Sequence, residues 1–111
     1  MPTGLRSRLD ESSVAGHHFK AALKTLTPYS QLARSASGDG AVESKIKELM
    51  ALSISIAIRC EDCIVFHLRA ALQHGATKAE VVETIELAIE MGGGPSVVYG
   101  ARTLEALNQL Q

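Results

Sequence analysis

Tryptophan is absent, and aromatic residues make up only 4% of the 111-residue chain. The core must therefore be built from Leu, Ile, Val and Ala, side chains that suit helices packed against helices. Neither sign of charge is in excess, since the formal net charge is −1. There is no basic stripe to hold nucleic acid, and no acidic block that reads as a disordered tail. Long apolar runs are also missing. The longest uncharged one, Leu49 to Ile58, falls far short of the roughly 20 residues needed to cross a bilayer. Met1 to Asp10 is polar and lacks the apolar stretch of a signal peptide. These absences lead us to expect a soluble, cytoplasmic protein with neither a membrane nor a nucleic-acid partner. Cysteine is scarce as well: only Cys60 and Cys63 occur. In a reducing compartment, a close pair like this points to redox chemistry or a metal rather than to a structural staple.

What is present fits one domain, 1–111, with a modest core. Residues 1–10 read as a flexible leader and 42–107 as the motif-bearing part. From Ser13 to Leu26, the residues Val14, Ala15, Phe19, Ala22, Leu23 and Leu26 recur at helical spacing, and Pro28 is expected to end that helix. An apolar patch at Tyr29, Leu32 and Ala33 follows, then a loop over 35–40, where Gly and Ser favour turns. Val42 to Ile58 is the most apolar segment. Its end, 53–58, alternates like a strand, but its length and the helix formers of 45–52 favour a helix that is apolar nearly all round at its far end. Arg59 and Cys60 mark a break. A second helix runs from Glu61 to His74 and closes at Gly75. Thr77 and Glu80 have capping-box spacing and open a helix carrying Val81, Val82, Ile85, Ala88 and Ile89. That helix stops at 92–95. Pro95 fits the first position of a last helix, whose expected apolar stripe is Val97, Val98, Ala101, Leu104 and Leu107. The expected fold is an all-α bundle of five to six helices.

The chemistry lies in Cys60-Glu61-Asp62-Cys63 and His67. Helix positions three and four apart share a face, so both thiols and the imidazole can lie together. Two thiols at this spacing can close into a disulfide and reopen. The first sits where a helix N-terminus favours thiolate. An imidazole one turn beyond the second can take its proton, and only a thiolate attacks a disulfide or a peroxide. Glu48 lies twelve residues before Cys60, among Leu49, Met50 and Leu52. A carboxylate there is costly without a partner. If the two helices fold back on each other, His67 or a thiol could be that partner, and Glu48 could then accept or pass on a proton.

Lys47-Glu48-Leu49, Cys60-x-x-Cys63-x-x-x-His67, Gly75-Ala76-Thr77 and Gly92-Gly-Gly-Pro95 with Val98-Tyr99 together resemble the AhpD-like alkylhydroperoxidase and carboxymuconolactone decarboxylase superfamily. A bare CxxC is weak evidence; with a Glu twelve residues before it and a His four after, the pattern is much stricter. The lactone decarboxylase branch usually lacks the cysteine pair, so the resemblance implies the redox branch and an AhpD-like helical bundle. By position it implies a dithiol of Cys60 and Cys63, and a proton relay of Glu48 and His67. It also implies a hydroperoxide or disulfide substrate, a dithiol reductant and a homo-oligomer, trimer or hexamer. No cofactor or metal is called for. In this scheme Cys63 attacks and Cys60 resolves, whereas the helix-dipole argument favours Cys60 as the more acidic thiol. Between the cysteines stand Glu61 and Asp62, where some relatives carry a His; two acids there should disfavour thiolate.

Other readings compete. CxxCxxxH could supply three zinc ligands, but no fourth is evident beyond Glu48. Cysteine is often an inert core residue, and the fold could serve as a non-catalytic oligomerisation or binding module. His74 reads as a helix-end cation, and His17 and His18 as surface residues. Gly92 to Gly94 lacks the lysine and preceding strand of a phosphate loop. Tyr99 and Arg102 share a helix face, at an active-site mouth or, more ordinarily, an interface. Glu80 and Glu105 read as capping or solvated.

Overall fold

The computed structural model describes residues 23–111. The leader, His17, His18 and most of the first expected helix lie outside that range. Five helices follow: α1 (Leu26–Ser37), α2 (Ser44–Ala57), α3 (Glu61–Gln73), α4 (Lys78–Gly92) and α5 (Gly94–Leu110). No strand occurs among the described residues.

Pro28 does not end a helix. It sits in the first turn of α1, where a missing N–H breaks no helical hydrogen bond. The apolar patch at Tyr29, Leu32 and Ala33 is therefore helical, and the loop expected from Ser35 begins only after Ser37. Polar contacts stitch this helix to α2. Ser44 Oγ donates to the Ser37 carbonyl at 2.8 Å, and Lys47 Nζ to that of Gly38 at 2.7 Å. Asp39 accepts the Ser44 N–H at 2.7 Å, which holds its carboxyl below the ordinary value.

Helix α2 is the central element and packs against every other helix. Leu49, Leu52 and Ile56 enter the core. The serines that gave 53–58 its alternation are absorbed by the helix itself. Ser55 is buried, yet its hydroxyl donates to the Ala51 carbonyl at 2.7 Å, so its polarity is satisfied in place.

Both ends of the α2–α3 unit close in the same way. After α3, the Ala76 N–H reaches the Ala71 carbonyl and the Gly75 N–H that of Leu72, with Gly75 at φ 92°. This is the Schellman arrangement, with glycine at its left-handed position. After α2, the Cys60 N–H reaches Ser55 and the Arg59 N–H reaches Ile56, with Arg59 at φ 61°. The same motif thus forms with an arginine where glycine is usual. The last residue of this closure, Cys60, is also the N-cap of α3.

Helix α3 buries Ile64, Val65, Leu68 and Ala71, and α4 buries Val81, Ile85 and Ala88, with Val82 and Ile89 packed at the margin. The Thr77–Glu80 capping box is formed on both sides, at 2.8 and 3.1 Å. Gly93, at φ 72°, turns the chain directly into α5. The buried face of α5 differs from the expected stripe: it consists of Ser96, Gly100, Thr103, Ala106 and Leu107. Only Leu107 belongs to both sets, while Val97, Val98, Ala101 and Leu104 face outward. Close approach explains the choice. A Cβ on Gly100 would lie 2.9 Å from Ile85 Cγ2, so small residues are what let α5 sit against α4.

Candidate active site

The α2 closure and the α3 N-terminus place the two cysteines. Cys60 caps α3, its Sγ accepting the Cys63 N–H at 3.2 Å. The Cα atoms are 5.2 Å apart and the sulfurs are joined in a disulfide. The expected pairing at a helix start is therefore present, in its oxidised form. The Cys63 N–H is one of the donors a helix start leaves unpaired, and it stabilises negative charge on the Cys60 sulfur when the bond opens.

One turn further along α3, His67 meets Glu48 from α2. Its Nδ1 lies 3.3 Å from each carboxylate oxygen. Glu48 is only 4% exposed, and the imidazole is its partner, which offsets the cost of burying a carboxylate. The two helices do fold back on each other, and Glu48 reaches His67 rather than a thiol. Nor does a hydrogen bond join His67 to either sulfur. With Nδ1 turned to the carboxylate, Nε2 is the ring's second proton position. The Phe66 ring meets the imidazole edge-on, with centroids 5.1 Å apart.

Helix α5 adds a residue whose partner the sequence did not reveal. Arg102 Nη1 forms an ion pair with Glu61 Oε1, across α5 and α3. Its guanidinium carbon stands 5.0 Å from the centroid of the Tyr99 ring, within cation–π range. Tyr99 itself packs against the core. Of the two acids between the cysteines, Glu61 is thus charge-paired and Asp62 is exposed. No local pattern could have revealed this pairing, which joins residues 41 positions apart. The only sequence signal was the shared helix face of Tyr99 and Arg102. His74 caps the far end of α3, away from the dithiol, and is exposed. Among the described residues, no group of three or more His, Cys, Asp or Glu side chains is arranged to hold a metal ion.

Residues 20–106 match the carboxymuconolactone decarboxylase family. An uncharacterized protein of Cupriavidus necator is 34% identical, over 97% of this chain and 99% of its own length. Another, uncharacterized protein 4 in the cox locus of Paracoccus denitrificans, is 26% identical over 89% of each chain. Among solved structures, a carboxymuconolactone decarboxylase family protein of Legionella pneumophila, in its apo form, superposes with a TM-score of 0.82. It is 37% identical, over 93% of this chain and 94% of that one. A family member from Thermotoga maritima, for which a role in the antioxidative response has been suggested, superposes equally well. It has a TM-score of 0.82 and 27% identity, over 90% of this chain and 89% of that one.

Proposed function

This chain belongs to the carboxymuconolactone decarboxylase family, and from that premise we propose that it is an AhpD-like dithiol peroxidase reducing organic hydroperoxides through Cys60 and Cys63. The observation that carries the reading is a disulfide closed at a helix N-terminus, one turn from an imidazole held by a buried carboxylate. The antioxidative role suggested for the Thermotoga relative agrees with it.

The reduced enzyme begins the cycle with His67 drawing the proton from Cys63, while Glu48 steadies the imidazolium that results. The Cys63 thiolate attacks a peroxide oxygen. The O–O bond breaks, the sulfur becomes a sulfenic acid, and the departing alkoxide takes a proton from His67 to leave as the alcohol. The Cys60 thiolate then attacks the sulfenic sulfur. The S–S bond forms, and the hydroxyl leaves as water with the proton Cys60 gave up. Two electrons pass from the dithiol to the peroxide. A dithiol reductant returns them by exchange, forming its own disulfide. The Cys63 N–H makes Cys60 the better leaving thiolate in that step, because a stabilised thiolate departs faster. The two arguments about the cysteines thus fall on different half-reactions: proximity to His67 selects Cys63 as nucleophile, and the helix dipole selects Cys60 as leaving group.

We place this activity in a homo-oligomer, trimer or hexamer, working in the cytoplasm where dithiol donors stay reduced. Exposed Met50 and Ile54 on α2 and Ile58 at its C-cap, with Val97, Val98 and Leu104 on α5, support association. No helix among the described residues is long and apolar enough to cross a membrane.

The test is hydroperoxide consumption with dithiothreitol as donor, comparing wild type with Cys60→Ser and Cys63→Ser. Loss of turnover in both variants, with a sulfenic acid trapped in Cys60→Ser, supports the assignment. Undiminished turnover in either variant, or a wild-type dithiol left reduced by stoichiometric peroxide, removes it in favour of a binding module.

A further inference from the structure

The peroxidase reading leaves an electrostatic problem. Glu61 and Asp62 stand between the cysteines at the start of α3, and a carboxylate beside a sulfur opposes thiolate. The helix N-terminus pulls the other way, and both effects act over the same first turn. The charged groups within the motif, and those paired with them, come from three helices. Glu61, Asp62 and His67 lie on α3 with Arg59 just before it, Glu48 on α2 is paired with His67, and Arg102 on α5 is paired with Glu61. Glu48 and His67 are occupied with each other. Among the described residues, Arg102 is a cation that reaches the acid inside the motif.

Arg102 is held from two sides. Its guanidinium is bonded to Glu61 at the tip and stands over the Tyr99 ring three residues back on its own helix. Tyr99 is anchored against the core, so the cation is fixed relative to α3. Its side chain is 42% exposed and that of Glu61 23%. The pair is screened, and its contribution to folding is small. A small contribution to folding still leaves room for an effect on a neighbouring thiol, because half a pH unit already changes the thiolate fraction about three-fold.

We propose that Arg102 is a positioning residue for the dithiol, holding the Glu61 carboxylate in an ion pair that offsets its charge and keeps the thiolate form of the reduced cysteines accessible. Arg102 acts through Glu61 and touches neither sulfur nor substrate. The inference rests on the dithiol reading of the site but not on the identity of the oxidant.

The experiment is the rate of iodoacetamide alkylation of the fully reduced protein as a function of pH. Peptide mass spectrometry separates Cys60 from Cys63. The proteins compared are wild type, Arg102→Met, Arg102→Lys, Glu61→Gln and the Glu61→Gln/Arg102→Met double variant, each verified as helical by circular dichroism. Arg102→Met should move the midpoint for the faster cysteine upward and lower the rate near neutral pH about three-fold. Arg102→Lys should recover most of that loss, and Glu61→Gln should move the midpoint downward. In the Glu61→Gln background, removing Arg102 should have a markedly smaller effect, and that non-additivity identifies Glu61 as the intermediary. A profile for Arg102→Met that overlays wild type overturns the proposal. So does an equal effect of Arg102→Met with and without Glu61. If Arg102→Met does not fold, Glu61→Gln decides, since an unshifted midpoint there excludes any charge for Arg102 to offset. Alkylation needs no peroxide, so the expected shifts in a protein that consumes no hydroperoxide would sink the peroxidase reading and leave this one standing.

Discussion

In the proposed reaction, Glu48 is the residue that steadies His67. It is buried, and both of its oxygens face one imidazole nitrogen. A group placed to hold an imidazolium, rather than to pack the core, should matter more to rate than to folding. Glu48→Gln keeps the shape and a hydrogen-bonding amide but removes the charge. Peroxide turnover is expected to fall at least ten-fold, since positioned proton transfer contributes about 10²–10⁴-fold, while the thermal midpoint changes little. Equal turnover would take Glu48 out of the relay. Arg59 shows strain at a single residue. It occupies the left-handed position of the α2 closure, which costs a residue with a Cβ about 1 kcal/mol or more. Arg59→Gly should therefore raise unfolding stability by up to about 1 kcal/mol, and Arg59→Val should lower it, as read from denaturant midpoints. A loss on going to glycine would show that the arginine side chain makes a compensating contact.

The elements are joined by a few polar ties at their ends. Glu80 is the clearest. One carboxylate oxygen takes the Thr77 N–H in the capping box and the other takes Lys45 Nζ at 3.0 Å, so the start of α4 is fastened to α2. The Thr77 N–H, followed by Lys45, holds the Glu80 carboxyl below its ordinary value of 4.5. A lowered folded-state value means that the unfolded chain takes up the proton first as pH falls. The stabilisation is therefore complete above about pH 4.5 and disappears as pH drops through the folded value. Glu80→Gln retains the cap geometry and loses only the charge. Its melting temperature should lie below wild type near neutral pH and converge with it as pH falls through the folded value. A gap that persists in acid would mean that the carboxylate charge is not what matters there. The alternation over 53–58 teaches a related lesson. The pattern was real, but the helix absorbs it, because Ser53 and Ser55 each donate to a carbonyl of the preceding turn.

On the scale of the whole molecule, the chain leaves apolar surface uncovered on two helices. Met50 and Ile54 lie one turn apart on α2, Ile58 caps its end, and Val97, Val98 and Leu104 lie on α5. Patches of this kind on small proteins mark association sites. Wild type should elute as an oligomer in size-exclusion chromatography with light scattering, and Ile54→Glu or Val98→Glu should shift it toward the monomer with helicity retained. A monomeric wild type at micromolar concentration would refute the oligomer. The misplaced stripe of α5 is part of this surface. Apolar periodicity reports which residues avoid water, but not whether the same chain or another one covers them. The residues that α5 buries against its own chain are mostly small, set by the close approach at Gly100.

The sequence alone determined the helical class, the helices and stops from 42 to 107, the capping box, and the placing of Cys60 at the start of the helix that carries Cys63 and His67. All of these depend on spacings of a few residues, where backbone geometry fixes who neighbours whom. Pro28 was misread because proline is tolerated in a first turn as readily as it ends a helix, and local sequence does not separate the two. Glu48 lay between these cases: its buried setting and its need for a partner were legible, while the partner was one of several. Which side chain it met, and that Arg102 would reach Glu61, were settled only by how α2, α3 and α5 pack. Those contacts join residues 19 and 41 positions apart. Helical periodicity says which face a residue is on, and the packing of whole helices decides what that face meets.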